Sequence, residues 1–241
     1  MKKYIFMIVF LKMSIAKSPN HLNQWIIWNV GQGQWMTQIE NDSCTHFDFG
    51  GEIFMLSKIK PLYIQKCRNK TNKLYLSHAH WDHYAFYNFI LKNNIKTCWD
   101  SKPQEELKGI KQQISYCNEP TKQNNIQILF YDQTAKKCND RSIVLKTNEF
   151  LIPGDSPSRK EKKWALNIGP TNQIKYLILG HHGSRTSTGE LLLGKLPNLK
   201  MAFVSSRFKK YGHPHKDVLQ RLHKHHINAI RTESWGSILI L

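Results

Sequence analysis

The sequence predicts an α/β fold in which two sheets pack face to face with helices outside. Three observations lead there. Segments with strand character come in runs, and segments of helical spacing separate the runs, as layered sheets covered by helices require. At 241 residues with 40% apolar content, the chain can bury a full core as one large domain and is too apolar to be disordered. Three of the predicted strands run directly into clusters of His and Asp.

Taken in order, residues 25–30 alternate as a strand, the turn Gly31-Gln32-Gly33 follows, and a second strand runs to residue 39. A third strand over 45–49 ends at Gly50-Gly51. Residues 73–77 form a short strand leading into a histidine cluster. Residues 84–92 have helical spacing, with Phe86, Phe89 and Ile90 on one side. A further helix is predicted over 104–116, then strands over 126–131, 142–147 and 149–152. The stretch 158–163 is a charged loop or helix start. A buried strand over 176–179 precedes a helix over 187–193, a strand over 201–205, a helix over 215–226 and two short final strands. No repeat or long Gly/Ser-rich linker marks an internal domain boundary.

Residues 1–16 read as an export leader. Lys2 and Lys3 precede an apolar run over 4–11, and Ser14-Ile15-Ala16 supplies small residues for cleavage. Lys12 interrupts the pattern, and a buried N-terminal strand is the alternative. The domain proper would then be 17–241, exported to the periplasm or outside the cell, without stable membrane insertion: the leader run is too short to span a bilayer, and no later stretch is long enough. Five cysteines without CxxC spacing imply no zinc ribbon, and export would permit one or two disulfides with one thiol left over. Thirty-five Lys and Arg against seventeen Asp and Glu give a formal charge of +18. Such a surface attracts polyanions such as nucleic acid or anionic lipid, although a Lys-rich proteome would give the same excess.

The strongest chemical signal is Ser77-His78-Ala79-His80-Trp81-Asp82-His83. Alternate side chains of an extended segment share a face, so His78 and His80 can bind one metal, while Asp82 and His83 reach a second around the turn. Three His and one Asp within six positions are hard to explain as packing. Asp155, after the strand and Gly154, can bridge two cations held about 3.5–4 Å apart; taken alone, it is more often a turn residue. His181-His182-Gly183-Ser184 repeats the design after another buried strand. His223, His225 and His226 lie on a predicted surface helix, and His21 and His46 carry no readable role.

The ordered pattern His-x-His-x-Asp-His, Gly-Asp and strand-end His resembles the metallo-β-lactamase superfamily. More narrowly, Asn-Val-Gly-Gln-Gly at 29–33, Pro-Gly-Asp at 153–155, His-His-Gly-Ser at 181–184 and Tyr-Gly-His-Pro-His at 211–215 resemble the extracytoplasmic hydrolase domain of ComEC-type competence DNA-uptake proteins. The likeness runs from about residue 24 to the end. It implies a four-layer αβ/βα sandwich, two divalent cations (Zn²⁺ or Mn²⁺) and a nuclease with DNA as substrate. His78 and His80 would hold the first cation. Asp82, His83 and either His181 or His182 would hold the second, with Asp155 bridging; His181 is nearer its strand.

The chain departs from that family where Asp usually stands at the positions of Asn29 and Gln34, and often at that of His80. No His lies between His83 and His181, so Asn139 or Asp140 occupies the place of a third first-cation ligand, and a neutral oxygen there would make Mn²⁺ as plausible as Zn²⁺. The expected chemistry is phosphodiester hydrolysis by metal-activated water. Asp82 would orient the nucleophile, and His213 would donate a proton to the leaving oxygen or bind phosphate, a structural turn role being the alternative. Ser184, Arg185, Arg207, Lys209, Lys210 and Tyr211 are the candidate substrate contacts, with Trp81 or Tyr211 stacking a base. A hydrolase of a small ester, lactone or phosphoester, or a non-catalytic DNA-binding homologue, would share much of this pattern.

Overall fold

The computed structural model describes residues 23–92, 95–110, 114–118, 126–169 and 171–241. The expected leader and His21 lie outside them. Among the described residues the strands are β1 (Gln24–Ile27), β2 (Trp35–Ile39), β3 (Ser43–Phe49), β4 (Thr71–Tyr75), β5 (Thr97–Ser101), β6 (Gln127–Phe130), β7 (Val144–Lys146), β8 (Phe150–Ile152), β9 (Tyr176–Ile178), β10 (Met201–Val204), β11 (Asn228–Arg231) and β12 (Ile238–Ile240). The helices are α1 (Leu56–Cys67), α2 (Trp81–Tyr84), α3 (Tyr87–Lys92), α4 (Ser158–Trp164), α5 (Glu190–Gly194), α6 (Phe208–Tyr211), α7 (Lys216–Lys224) and α8 (Thr232–Trp235).

The strands form two six-stranded sheets, in the orders β12-β1-β2-β3-β4-β5 and β11-β10-β9-β8-β7-β6. In the first, β3, β4 and β5 are parallel; in the second, β8 to β11 are parallel. Alternation along each strand builds three apolar layers. Trp25, Ile27, Met36 and Phe47 from the first sheet meet Leu145, Phe150, Ile152 and Tyr176 from the second, with Trp25 and Phe150 ring centroids 4.6 Å apart. The opposite face of the first sheet packs Ile26, Trp28, Trp35 and Phe49 against Ile59, Tyr63 and Cys67 of α1 and Tyr87 and Ile90 of α3. That of the second packs Leu151 and Leu177 against Trp164, Leu192, Val218 and Leu222. This is the four-layer αβ/βα sandwich expected. No helix among the described residues is long and apolar enough to cross a membrane.

Two expectations need correcting. The helix over 104–116 is absent among the described residues: 104–110 are turns and irregular chain, and Tyr116 bridges to Trp99 where the Cys98–Cys117 disulfide holds the segment against β5. Covalent tethering in extended pairing has overridden helical spacing. The helix over 84–92 is two short helices broken at residues 85–86, the first starting at Trp81. Conversely, α1 and β5 escaped the sequence reading. Ile59, Tyr63 and Cys67 form its buried face at helical spacing, but Pro61 inside the helix reads as a breaker. A second disulfide joins Cys44 of β3 to Cys67, and Cys138 remains free, as the cysteine arithmetic anticipated.

His46, for which the sequence offered no role, is fully buried in the first sheet. Its Nδ1 lies 3.2 Å from Trp35 Nε1 and 2.9 Å from Thr37 Oγ1, and its Nε2 lies 2.8 Å from Asn72 Oδ1. A neutral ring that accepts from Trp35 and donates to Asn72 satisfies this cage. Burial lowers its pKa to about 4, partly offset by Asn72. The unfolded chain therefore binds the proton first, so stability present above about pH 6.5 is lost as pH falls towards 4, by about 3 kcal/mol if fully expressed. Urea unfolding midpoints between pH 7 and 4 should fall in the wild type, and His46→Gln should flatten part of that dependence.

Candidate metal centre

The C-terminal ends of parallel strands from both sheets meet at one edge, where α/β folds assemble ligand sites. β4 delivers His78, His80, Asp82 and His83; β8 delivers Asp155; β9 delivers His181 and His182. His80 stands in extended conformation just before α2. Asp82 and His83 therefore lie in the first helical turn while His78 stays in the preceding loop, which spreads one sequence cluster across two sides of a pocket.

Asp155 is the hub. Its side chain is buried, with Oδ2 3.6 Å from both His78 Nε2 and His181 Nε2, and Oδ1 3.2 Å from His83 Nε2 and 3.6 Å from His182 Nε2. One carboxylate thus faces four imidazoles, two on each oxygen. His182 Nε2 also lies 3.1 Å from Asp82 Oδ2 and 3.3 Å from His83 Nε2. Ligand atoms of His78, His83 and Asp155 lie within 4.8 Å of one another, as do those of Asp82, His83 and His182, and those of His78, His80 and Cys138. His78 Nε2 and Asp155 Oδ1 are buried without a hydrogen-bond partner. Leaving such atoms unpaired is costly, and converging N and O lone pairs are the donor set a divalent cation needs. The residues fit such an ion.

The charges respond as a cation site should. Burial opposes a charge on His83, but Asp155 and then Asp48 outweigh it and hold the ring well above the usual imidazole range. His182 is raised for the same reason, by Asp155 and Asp82 against burial. His78 is pushed well below by burial and then by His83, which outweigh the opposing pull of Asp155 and Asp82. Asp155 stays ionised despite burial because His83, His182 and His78 surround it. Protons on His83 and His182 occupy the lone pairs that a metal would use, so metal binding would release them.

Asp48 is the residue the sequence reading missed. It sits near the end of β3 at φ +54° and accepts from His83 Nδ1 at 2.7 Å, the Ser77 backbone N–H at 2.7 Å, Ser77 Oγ at 2.8 Å and Gln34 Nε2 at 2.8 Å. A carboxylate on Nδ1 leaves Nε2 facing the pocket and raises the ring's basicity. Gln34 also acquires a purpose: a carboxylate at its position would repel Asp48, whereas the amide donates to it. The Gly33 and Gly50 backbones press against this loop. A side chain at Gly33 would come within 2.6 Å of the Asp82 carbonyl oxygen, and one at Gly50 would overlap the Asp82 and His83 backbone.

His181 and His182 are both left-handed, at φ +49° and +53°, a conformation costing non-glycine residues roughly 1–2 kcal/mol each. The turn is pinned by His181 N–H to Gly154 O at 3.0 Å and Ser184 N–H to His181 O at 2.8 Å. It carries the buried His182 ring to Asp82 and His83 and leaves His181 partly exposed, beside Asn139 Nδ2 at 3.3 Å. The reversal places His182, the residue farther from the strand, beside Asp82 and His83, while His181, the one nearer the strand, faces Asp155 from the other oxygen. Strain of this kind clusters at functional sites.

Solved structures supply the comparison for the fold. The metallo-β-lactamase fold protein YhfI from Bacillus subtilis superposes with a TM-score of 0.56 over 90% of this chain and 99% of that one, at 11% identity. The chain has the metallo-β-lactamase fold. No protein-family model matches it. In sequence, this metallo-β-lactamase-fold chain is similar to ComE operon protein 3 of Bacillus subtilis, 26% identical over 198 residues and covering 74% of this chain and 25% of that protein. It is also similar to Recombination protein 2 of Haemophilus influenzae, 27% identical over 88% of this chain and 28% of that protein, and to Competence protein ComA of Neisseria gonorrhoeae, 25% identical over 88% and 31%. The likeness to competence proteins suspected from the motifs is thus present, and the chain spans about 25–31% of these relatives' length.

The remaining predicted site residues of this metallo-β-lactamase-fold chain divide by position. His213 lies with its ring 6.3 Å from that of His181, its pKa lowered by burial and then by His182 and His181. Asn139 has its Oδ1 buried without a partner. Ser184 is buried, its Oγ 3.1 Å from Thr186 Oγ1, which turns it into the loop. Arg185, Lys209, Lys210 and Tyr211 are exposed. Arg207 and Lys210 share Glu52, at 2.7 and 3.7 Å, and Glu52 Oε2 accepts from the Gln32 backbone at 3.3 Å, so this carboxylate partly neutralises both cations. Asn29 donates its backbone N–H to Ser237 at 3.1 Å. His225 pairs with Glu190 on the surface at 2.8 Å, as expected for a histidine outside the site.

Proposed function

We propose that this chain is a metal-dependent phosphodiester hydrolase acting on DNA, with two divalent cations, Zn²⁺ or Mn²⁺, held around Asp155. The observation that carries the reading is the single buried carboxylate facing four imidazoles from two sheets, with orphaned lone pairs between them. In the proposed assignment His78 and His80 hold one cation, Asp82, His83 and His182 the other, and Asp155 bridges. Bound there, the cations would supply Lewis acidity and lower the pKa of water towards ~7. Asp82, held ionised by His182 and His83 despite burial, accepts a hydrogen bond from the attacking water and fixes its direction. His213, neutral at pH 7, donates its N–H to a phosphate or leaving oxygen. Asp48 fixes the His83 ring.

DNA as the substrate is supported by what surrounds the centre. Phe54, Trp81 and Tyr211 are exposed, as are Lys209 and Lys210, and Arg207 lies over the Phe54 ring at 5.3 Å. Beside Trp81 runs a groove of about 470 Å³ lined by Ile53, Lys60, Phe89 and Lys92. Aromatic faces interleaved with cations suit stacked bases and phosphates, above all in single strands. The relatives' names, a competence protein and a recombination protein, support the same substrate, and the two disulfides support a setting outside the cytoplasm.

The test is cleavage of single- and double-stranded oligonucleotides by purified protein supplied with Mn²⁺ or Zn²⁺. Cleavage lost on chelation and restored by metal is expected. Binding should weaken with salt at a log–log slope of about −0.7 per neutralised phosphate on single strands. Stoichiometric metal with turnover of a small ester or lactone but none of DNA would sink the substrate assignment.

A further inference from the structure

The geometry points to Cys138 as a thiolate ligand that completes the first cation position with His78 and His80, so that this position selects a thiophilic cation such as Zn²⁺ or Co²⁺. The inference rests on the metal-centre reading above and sharpens it. Cys138 opens the short helical turn at residues 138–141, just before β7, on the second sheet's side of the pocket. Its sulfur lies within 4.8 Å of ligand nitrogens of His78 and His80. An independent observation points into the same gap: His78 is fully buried, Ser77 Oγ engages its Nδ1 at 3.0 Å, and its Nε2 has no hydrogen-bond partner.

The other four cysteines are consumed in disulfides, whereas Cys138 is free. The hydrogen-bond partner of its sulfur is Glu105 at 3.5 Å, itself paired with Arg141. The neutral thiol donates to Glu105; a cation at this position would take the sulfur lone pair and release the thiol proton to solvent. The oxygen expected of Asn139 is then unnecessary. Two imidazoles and a thiolate form a softer set than Asp82, His83 and His182, so the two positions differ in preference, the first for Zn²⁺ and the second tolerating Mn²⁺.

Titration of the metal-free protein, with both disulfides intact and Cys138 as the free thiol, with Co²⁺ reads this directly. Wild type should develop the near-ultraviolet sulfur-to-cobalt charge-transfer band together with visible d–d bands. Cys138→Ser should lose the former, keep d–d bands from the second position, and bind one equivalent at least ~10–100-fold more weakly, the cost that even outer-shell substitutions carry. Cobalt d–d bands without a thiolate band in wild type would overturn the assignment while leaving the metal centre standing; no Co²⁺ binding at all would overturn both. On wild-type protein, one equivalent of Zn²⁺ should also shield the free thiol from iodoacetamide, with a chelator restoring labelling. Unchanged labelling would likewise reject the thiolate.

Discussion

Replacing Asp155 with Asn is expected to reduce metal-dependent hydrolysis by more than ~100-fold, beyond what outer-shell changes cost at metal sites. The substitution conserves shape but removes the one negative charge that both oxygens share among His78, His83, His181 and His182. The four rings then converge with no charge between them, Asp48 and Asp82 compensating only His83 and His182 from outside. The two proposed cations would repel each other across a neutral amide that offers one oxygen in place of two. Metal content by elemental analysis should fall with activity, while circular dichroism stays native, because the surrounding apolar layers are untouched. A variant that kept both its metal and most of its turnover would remove Asp155 from the bridging role.

Gly50→Ala carries the largest expected effect on stability, about 4 kcal/mol or more, the range reserved for strained or overpacked sites. The added methyl would overlap the carbonyl carbon and oxygen of Asp82 and the carbonyl carbon of His83. These are backbone atoms, so no rotamer change relieves the clash. Gly50 also donates its N–H to Gln34 O at 3.0 Å, and Gln34 donates to Asp82 O at 3.2 Å, so displacing one strand end moves the ligand loop. The measurement is a urea midpoint alongside turnover. If the chain instead yields by shifting the loop, stability recovers at the expense of activity. Wild-type values for both would show that the close approach is dispensable.

The layers were legible in the sequence because alternation and helical spacing each report burial on one side of an element. Most of the candidate donor set was legible for a different reason: His and Asp crowd into short segments such as 78–83. What stayed hidden depends on three-dimensional neighbours. Asp48 sits in an ordinary strand-end phrase, Phe47-Asp48-Phe49, and only the parallel pairing of β3 with β4 brings it under Ser77 and His83. Which of His181 and His182 faces Asp82 and His83 turns on two positive φ angles that no residue type announces. Cys138 is distant in sequence from the histidines it joins, and α1 was masked by Pro61. Gln34, a departure from the family pattern, became intelligible only when Asp48 was seen beside it.

The seam between the sheets has a consequence for how the molecule holds together. Its polar edge is contributed in near-equal parts by residues 48–83 and residues 138–182, and neither half owns a complete set of donors. Any ion bound there belongs to both halves at once and acts as a removable clasp between them. By mass action, an ion present at a thousandfold over its dissociation constant would add about 4 kcal/mol to the native state. Both disulfides fasten only the first half. The second half therefore has no disulfide of its own, and its hold on the first rests on the apolar layer they share, on direct bonds such as Ile143 N–H to Ser77 O at 2.8 Å and Arg207 to Glu52 at 2.7 Å, and on whatever the seam has bound.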